Sequence, residues 1–328
     1  MTDLQKQISE ILKNEITIDY LSNKFSLTNK QVYRRICNLK TNGYNIYRKN
    51  YSTGDVKFGL SNIATTKTIN SILYTLPDTR EFRALFISDT HLGNSKQRLD
   101  IFNKLYDYCI ENNIHSIFNC GDFLNGLCFS NDGYALDNSY DIQFNNAIKN
   151  YPFDPHILNY VLLGNHDKDY LNMGYINIDE AITEKRYDIV PLSYEEAFIK
   201  IKNDQIYLYH PLDFKSRNNY CNKIVFRGHS HMSKFKHSSQ EGSSCIYVPS
   251  LSDMYYDSKY SFPAFYDVIF YFDKYGYVDT IYITHNIYVD KIVKVGEYSN
   301  SFLFNKENLS SKSKINYEEN PKKKVYKK

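Results

Sequence analysis

The sequence predicts a mixed α/β (α+β) protein in two parts: a small module of helices and a hairpin, then a larger layered α/β domain. Three observations carry this. Over residues 1–60 apolar residues recur at helical spacing and then give way to two short extended runs around a turn. From 83 to about 190, short and nearly continuous apolar runs alternate with helical stretches, the pattern of buried parallel strands joined by crossover helices. After about 195 the pattern is almost entirely strand.

The elements follow in order. Residues 3–14 place Leu4, Ile8, Ile11 and Leu12 on one helical face, and residues 18–25 do the same with Ile18, Leu21 and Phe25. Ser26-Leu27-Thr28 reads as a turn with Thr28 as N-cap of a third helix over 29–41, whose Val32, Ile36 and Leu39 point inward. Two strands around Ser52-Thr-Gly-Asp55 complete the first 60 residues. This order resembles a winged helix-turn-helix. Residues 61–81 are polar and Thr-rich and read as a linker. The larger domain spans 82–300. Its strands are expected at RALFIS, SIFNC and YVLL, with a helix over about 96–112 between the first two. Further strands are expected at FIKI, IYLYH, KIVFRG, CIYVPS, FYDVIFYF and TIYIT. Residues 301–328 are lysine-rich with few apolar positions and read as a disordered tail.

Composition narrows the class. With 328 residues and 42% apolar content the chain can bury a sizeable core. No apolar stretch reaches the roughly 18 residues of a membrane span, so no membrane partner is expected. Six scattered cysteines without a CxxC pair read as reduced thiols and suit a cytoplasmic protein. The 32 Tyr and the abundance of Asn, Ile and Lys reflect an AT-rich coding bias, consistent with a bacterial or phage source, and are not read as a base-stacking surface. Net charge is +3, unevenly placed. Residues 1–60 carry ten Lys/Arg against five Asp/Glu, residues 306–328 carry eight against three, and the middle is acidic. A polyanion would be gripped by the ends.

The chemistry lies in five polar motifs, each following an apolar run: Asp89-Thr-His91, Gly121-Asp122, Gly164-Asn165-His166-Asp167, His210, and Gly228-His229-Ser-His231. In α/β sheets ligands gather beyond the carboxyl ends of strands, so residues distant in sequence can meet at one sheet edge. The glycines suit tight turns there. Asp, Asn and His without thiolate suit manganese, iron, zinc or nickel, and two Mn²⁺ ions are the expected cofactor. A lone Asp or His of this kind is ordinarily a cap or a satisfied core residue; five motifs in order are not. His115, His156, His237 and His285 lie outside the pattern, and Asn94 reads as a turn residue.

As a set, the motifs resemble the calcineurin-like metallophosphoesterase superfamily over residues 83–255. The resemblance implies an αββα sandwich and a phosphoester substrate. It implies that Asp89, His91 and His231 hold one metal, that Asp122 bridges both, and that Asn165, His210 and His229 hold the second. It makes His166 the catalytic histidine and Asp167 the residue that orients it. GDFLNG and GNHD depart from the GDxVDRG and GNHE of the superfamily's protein phosphatases, and the phosphate-gripping Arg is absent. SDTHLG is similar to the opening of Mre11/SbcD-type nucleases, although those carry Asp where Asn125 stands.

The substrate expectation rests on the first 60 residues. The third helix carries Lys30, Arg34 and Arg35, and the wing carries Arg48 and Lys49. In helix-turn-helix proteins such a helix enters the major groove, with basic side chains on phosphates. A DNA nuclease is therefore expected. A phosphatase or cyclic-nucleotide phosphodiesterase on a small substrate is the alternative, and a non-catalytic DNA-binding regulator the second.

Overall fold

A computed structural model describes residues 3–41, 44, 46–50, 56–60, 71–74, 80–126, 140–172, 178–212, 224–238, 243–253 and 262–302.

The chain opens with α1 (Asp3–Ile11), β1 (Ile16–Thr17), α2 (Ile18–Phe25), α3 (Asn29–Thr41), β2 (Ile46–Asn50) and β3 (Val56–Leu60). α2 and α3 are capped by side chains. Thr17 Oγ1 accepts the Tyr20 N–H at 3.2 Å. Thr28 and Gln31 cap each other: the Gln31 N–H donates to Thr28 Oγ1 at 3.2 Å and the Thr28 N–H to Gln31 Oε1 at 2.9 Å. The helical periodicity buries Ile8, Leu12, Leu21, Val32, Ile36 and Leu39 completely. β1 adds to the hairpin as β1-β3-β2, a third strand too short to announce itself in the sequence.

Two sheets form the larger part. One has seven strands in the order β16-β15-β14-β5-β6-β7-β8. Its parallel half is β5 (Glu81–Ile87), β6 (Ser116–Asn119), β7 (Leu158–Leu163) and β8 (Ile189–Tyr194). Its antiparallel half is β14 (Ala264–Phe272), β15 (Val278–Tyr288) and β16 (Ile292–Ser301). The other has six strands, β12-β13-β11-β10-β9-β4. These are β4 (Ser71–Tyr74), β9 (Glu196–Ile201), β10 (Asp204–Tyr209), β11 (Ile224–Arg227), β12 (Lys234–Ser238) and β13 (Ser243–Tyr247).

Alternation along β5 shows the layering. Ala84 and Phe86 face the second sheet, where the Phe86 and Phe226 rings stack at 3.7 Å. Leu85 and Ile87 face α4 (Leu99–Glu111), α5 (Tyr140–Asn150) and α7 (Ile178–Lys185), packing with Phe102, Leu105, Phe144 and Ile182. A fully buried β5 on both faces is why RALFIS reads as a continuous apolar run. On the far face of the six-stranded sheet, among the described residues, Tyr207, Tyr209 and Val225 cluster with Phe198 and Cys245. The expected mixed α/β class is what the chain adopts. No described helix is long and apolar enough to cross a membrane.

One expectation on organisation needs amendment. Ser71–Tyr74, inside the span read as a linker, forms β4 and pairs parallel with β9. The edge strand, SILY, is only four residues long within a Thr-rich span, too short a run to stand out. Residues 61–70 and 75–79 lie outside the described residues, as do 303–328 of the predicted tail. The first module also packs on the larger one. The Tyr33 hydroxyl of α3 donates to the Thr183 carbonyl, and its ring lies 5.3 Å from that of Tyr187.

Candidate metal centre

The three motifs nearest the N-terminus end neighbouring strands. Asp89 follows β5, Asp122 follows β6, and Asn165, His166 and Asp167 begin α6 (Asn165–Asn172) directly after β7. His210 ends β10, and His229 and His231 follow β11, adjacent strands of the facing sheet. With the sheets stacked, all five motifs meet at one edge. The loops are laced together by backbone bonds, from the Asp89 N–H to the Gly121 carbonyl at 2.9 Å and from the His91 N–H to the Asp122 carbonyl at 3.0 Å.

Three overlapping donor groups result, one of which joins His166 to His91 and Asp122. In the first of the other two, His231 Nε2 lies 3.2 Å from Asp89 Oδ1 and 3.3 Å from His91 Nε2, which is 3.8 Å from Asp122 Oδ2. In the second, His210 Nε2 lies 3.1 Å from both Asp122 Oδ2 and Asn165 Oδ1, and His229 Nδ1 is 3.0 Å from the same Asn165 oxygen. Asp122 belongs to both. Ligands each about 2.1 Å from one ion stand roughly 3.0–3.5 Å apart, so the spacing fits a cation in each group. The donor set of imidazole, carboxylate and amide oxygen fits divalent ions of the Mn, Fe and Zn kind.

The protonation pattern suits the same occupants. Burial, followed by the nearby His166, lowers His91 to about 3, and burial with His210 lowers His229 to about 4. Both are neutral at pH 7, with a lone pair to offer. Burial pushes Asp89 upward, but His231 outweighs it and leaves the carboxyl at about 2. Asp122 is likewise held well below the ordinary carboxylate range, burial being overcome by His210 and His166. On His210 burial opposes the charge, yet Asp122 raises the imidazole to about 9. A divalent cation between that pair would displace the proton that this raised pKa holds on His210.

Tautomers are fixed from outside. His210 Nδ1 donates to the Cys120 carbonyl at 2.8 Å, leaving Nε2 for Asp122. His166 Nδ1 donates to the Asn125 carbonyl at 2.7 Å, leaving Nε2 4.0 Å from Asp122 Oδ2. Asn125 is thus the positioning group for His166, a role the sequence reading missed because a backbone carbonyl carries no residue-type signal. Asn94 does make the expected turn: its Oδ1 accepts the Lys96 N–H at 2.8 Å, and its Nδ2 donates to Asn125 Oδ1 at 2.7 Å.

Asp167 does not orient His166. Its carboxylate accepts the N–H groups of Phe123, Leu124 and Gly164 at 3.0, 2.8 and 2.9 Å, clamping the Gly121-Asp122 loop to the turn before α6. Being i+1 to His166 on a helix points its side chain elsewhere. Burial and the Asp122 charge push its carboxyl up to about 7, against those three donors. Asp167→Asn would set an amide N–H against one of the donors. A loss of about 1–3 kcal/mol is expected, read as a lowered Tm with the fold retained.

The backbone is unusual here. Of nine non-glycine residues with positive φ among the described ones, five are Asp89 (52°), His91 (43°), Asp122 (52°), His229 (72°) and His231 (54°). Such conformations cost roughly 1–3 kcal/mol each and persist where the surroundings enforce them, commonly at working sites. Two glycines are required by space alone. A Cβ on Gly164 would stand 2.2 Å from Asp122 Oδ1 and 2.6 Å from the Asp122 nitrogen; one on Gly228 would stand 2.4 Å from the Cys120 carbonyl oxygen. Gly164→Ala should therefore displace Asp122. A loss of about 10²-fold or more in activity, with lower metal content by elemental analysis and an unchanged circular dichroism spectrum, is the expected result.

The four histidines outside the motifs join no metal-capable cluster among the described residues. Of the basic residues expected on DNA, Arg34 is exposed on α3 and Arg35 is half-buried, its Nη1 donating to the Gln31 carbonyl at 3.1 Å. The side chains of Lys30, Arg48 and Lys49 lie outside the described ones. Arg34 lies at the opposite sheet edge from the metal centre. It lines a cavity with Asp188, which precedes β8, whereas the donors follow the strands' carboxyl ends. The six residues of β7 put the two edges roughly 20 Å apart.

Comparison with known proteins gives one family. A family model described as calcineurin-like phosphoesterase matches residues 82–321. No curated protein matches the chain. Among solved structures, vacuolar protein sorting 29 from Cryptosporidium parvum aligns with 14% identity and a TM-score of 0.42 over 68% of this chain and 100% of that one. A predicted phosphoesterase from Streptococcus pneumoniae aligns with 12% identity and a TM-score of 0.34 over 68% and 99%. A Pseudomonas putida nuclease aligns with 15% identity and a TM-score of 0.30 over 56% and 82%.

Proposed function

From the premise that this chain belongs to the calcineurin-like phosphoesterase family, and so is a metal-dependent phosphoester hydrolase, we propose that it cleaves phosphodiester bonds in DNA with Mn²⁺ as its metal. On this reading Asp89, His91 and His231 hold one ion, Asn165, His210 and His229 the other, and Asp122 both. When bound, such a pair neutralises charge on the phosphoryl oxygens and makes water a competent nucleophile at neutral pH. The protein's own groups do the rest. Asp122 ties the two halves of the site. The Cys120 and Asn125 carbonyls hold the His210 and His166 rings so that each Nε2 faces inward. His166, half-buried beside the donors, is placed to give a proton to the departing oxygen.

The observation that carries hydrolysis is the convergence of five motifs from two sheets on the Asp122 carboxylate. The observation that supports DNA is the first 60 residues. The order α1-β1-α2-α3-β2-β3, with a capped turn between α2 and α3 and a three-stranded sheet, supports reading this module as a winged helix, and α3 carries Arg34 and Arg35. On this reading residues 1–60 tether DNA and 82–300 cut it. The distance of Arg34 from the metal centre favours a second reading, in which the substrate is a small phosphoester and the first module serves another purpose.

Duplex and single-stranded DNA, RNA, cyclic nucleotides and p-nitrophenyl phosphate esters, assayed in parallel with Mn²⁺, separate the readings. DNA cleavage that weakens steeply as salt rises is expected. Turnover of aryl or cyclic phosphates with DNA left intact would establish the second reading. DNA binding without any turnover would leave only a regulator.

A further inference from the structure

The cavity between α3 and the base of the seven-stranded sheet lies apart from the metal centre and shares Arg34 with the proposed DNA surface. Its volume is about 920 Å³, within the range of small-molecule sites, which favour junctions between modules. Tyr33, Arg34 and Asn38 line it from α3; Lys149 and Phe153 from the end of α5 and the loop after it; Glu184 and Tyr187 from α7 and beyond.

Its chemistry is divided. One wall is aromatic. Tyr187 sits between Tyr33, at 5.3 Å, and Phe153, at 5.6 Å, and Phe153 is 50% exposed at the lip. That wall is pinned from behind by Arg186, whose guanidinium is 5.7 Å from the Phe153 ring. Its Nε and Nη2 donate to Asp188, and the remaining N–H groups to the carbonyls of Ile148, Tyr151 and Pro152. With all its donors used, Arg186 builds the wall and has none left for a ligand. Of the other lining charges, Lys185 donates to Asn145 Oδ1, whereas Arg34, Lys149 and Glu184 enter no ion pair among the described residues. A flat ring against the aromatic wall, an anion between Arg34 and Lys149, and hydroxyls on the Glu184 carboxylate account for all three features together.

We propose that this cavity is a binding site for a mononucleotide, with the base on the exposed ring of Phe153, which Tyr187 backs edge-on, the phosphate on Arg34 and Lys149, and the sugar hydroxyls on Glu184. A nucleotide there bridges α3 to the phosphoesterase domain and occupies the face of α3 that carries Arg34. The site stands apart from the metal centre, so it holds whatever the metal centre cleaves.

AMP titrated calorimetrically into full-length Asp122→Asn protein, whose metal centre is disabled, should bind at one site with a Kd below about 1 mM. Adding Lys149→Glu should weaken that binding at least about tenfold, as should Phe153→Ala. Adenosine alone and inorganic phosphate alone should each bind at least about tenfold more weakly than AMP. Both substituted side chains face solvent or the cavity lip, and circular dichroism confirms that each variant is folded. No binding of AMP at about 10 mM overturns the proposal, as does AMP binding untouched by both substitutions. Phosphate binding as tightly as AMP, or a short oligonucleotide displacing AMP, would overturn the mononucleotide assignment.

Discussion

Asp122→Ala is expected to remove metal-dependent hydrolysis almost entirely, by about 10³-fold or more, equivalent to several kcal/mol of transition-state stabilisation. Asp122 Oδ2 is the atom shared by both donor groups, 3.1 Å from His210 Nε2 and 3.8 Å from His91 Nε2. Its Oδ1 accepts the His166 N–H at 3.1 Å, so the loss also frees the start of α6. Removing Asp122 also leaves His210 buried without the carboxylate that does most to raise its pKa. Metal content and initial rate, measured on the same preparation, check the result. Unchanged cleavage by the folded variant would show that hydrolysis does not pass through this centre.

His166→Ala should behave differently, and the contrast is the sharper test. His166 reaches Asp122 Oδ2 only at 4.0 Å, and its ring is set by the Asn125 carbonyl, not by another donor in the cluster. The variant should therefore keep its metal while kcat falls by about 10²–10⁴-fold, the range for a lost general acid. The drop should shrink with substrates whose leaving group needs no proton, such as p-nitrophenyl phosphodiesters. Equal losses for all leaving groups, with metal retained, would make His166 a binding group and not the proton donor. Loss of metal in this variant would place it among the ligands, a possibility its closeness to His91 makes worth measuring: the two rings meet edge to face at 4.7 Å.

Much of this centre is legible in the chain. Each motif could be tied to a strand end because a strand buried on both faces leaves a continuous apolar run, and the polar residues after it stand out. The helices of the first 60 residues were equally plain, since Val32, Ile36 and Leu39 keep strict helical spacing and Thr28 and Gln31 form a local cap. What escaped notice is of another kind. β4 is only four residues long and β1 only two, and β12 carries two lysines and a histidine in five residues. The first two are too short and the third too polar to signal a strand, and each is recruited by a neighbour's unpaired edge. Asp167 was misread because its partners are backbone N–H groups of a loop some forty residues away.

The sequence by itself determined the kind of chemistry: which side chains are available, in what order, and at the ends of which strands. Local forces suffice for that, because hydropathy period and capping act within a few residues. Only the tertiary structure decided how the donors meet. Two sheets must stack, Phe86 on Phe226, before His210 and His229 can face Asp89 and Asp122. The loops must also be held in left-handed conformations that those residues avoid in isolation. That strain is sustained by contacts across the whole fold, such as the Asp167 carboxylate on three backbone N–H groups and the Cys120 and Asn125 carbonyls on two imidazoles. The same holds for the cavity at the opposite edge, which exists only because α3 packs against residues at the base of the sheet more than a hundred positions away.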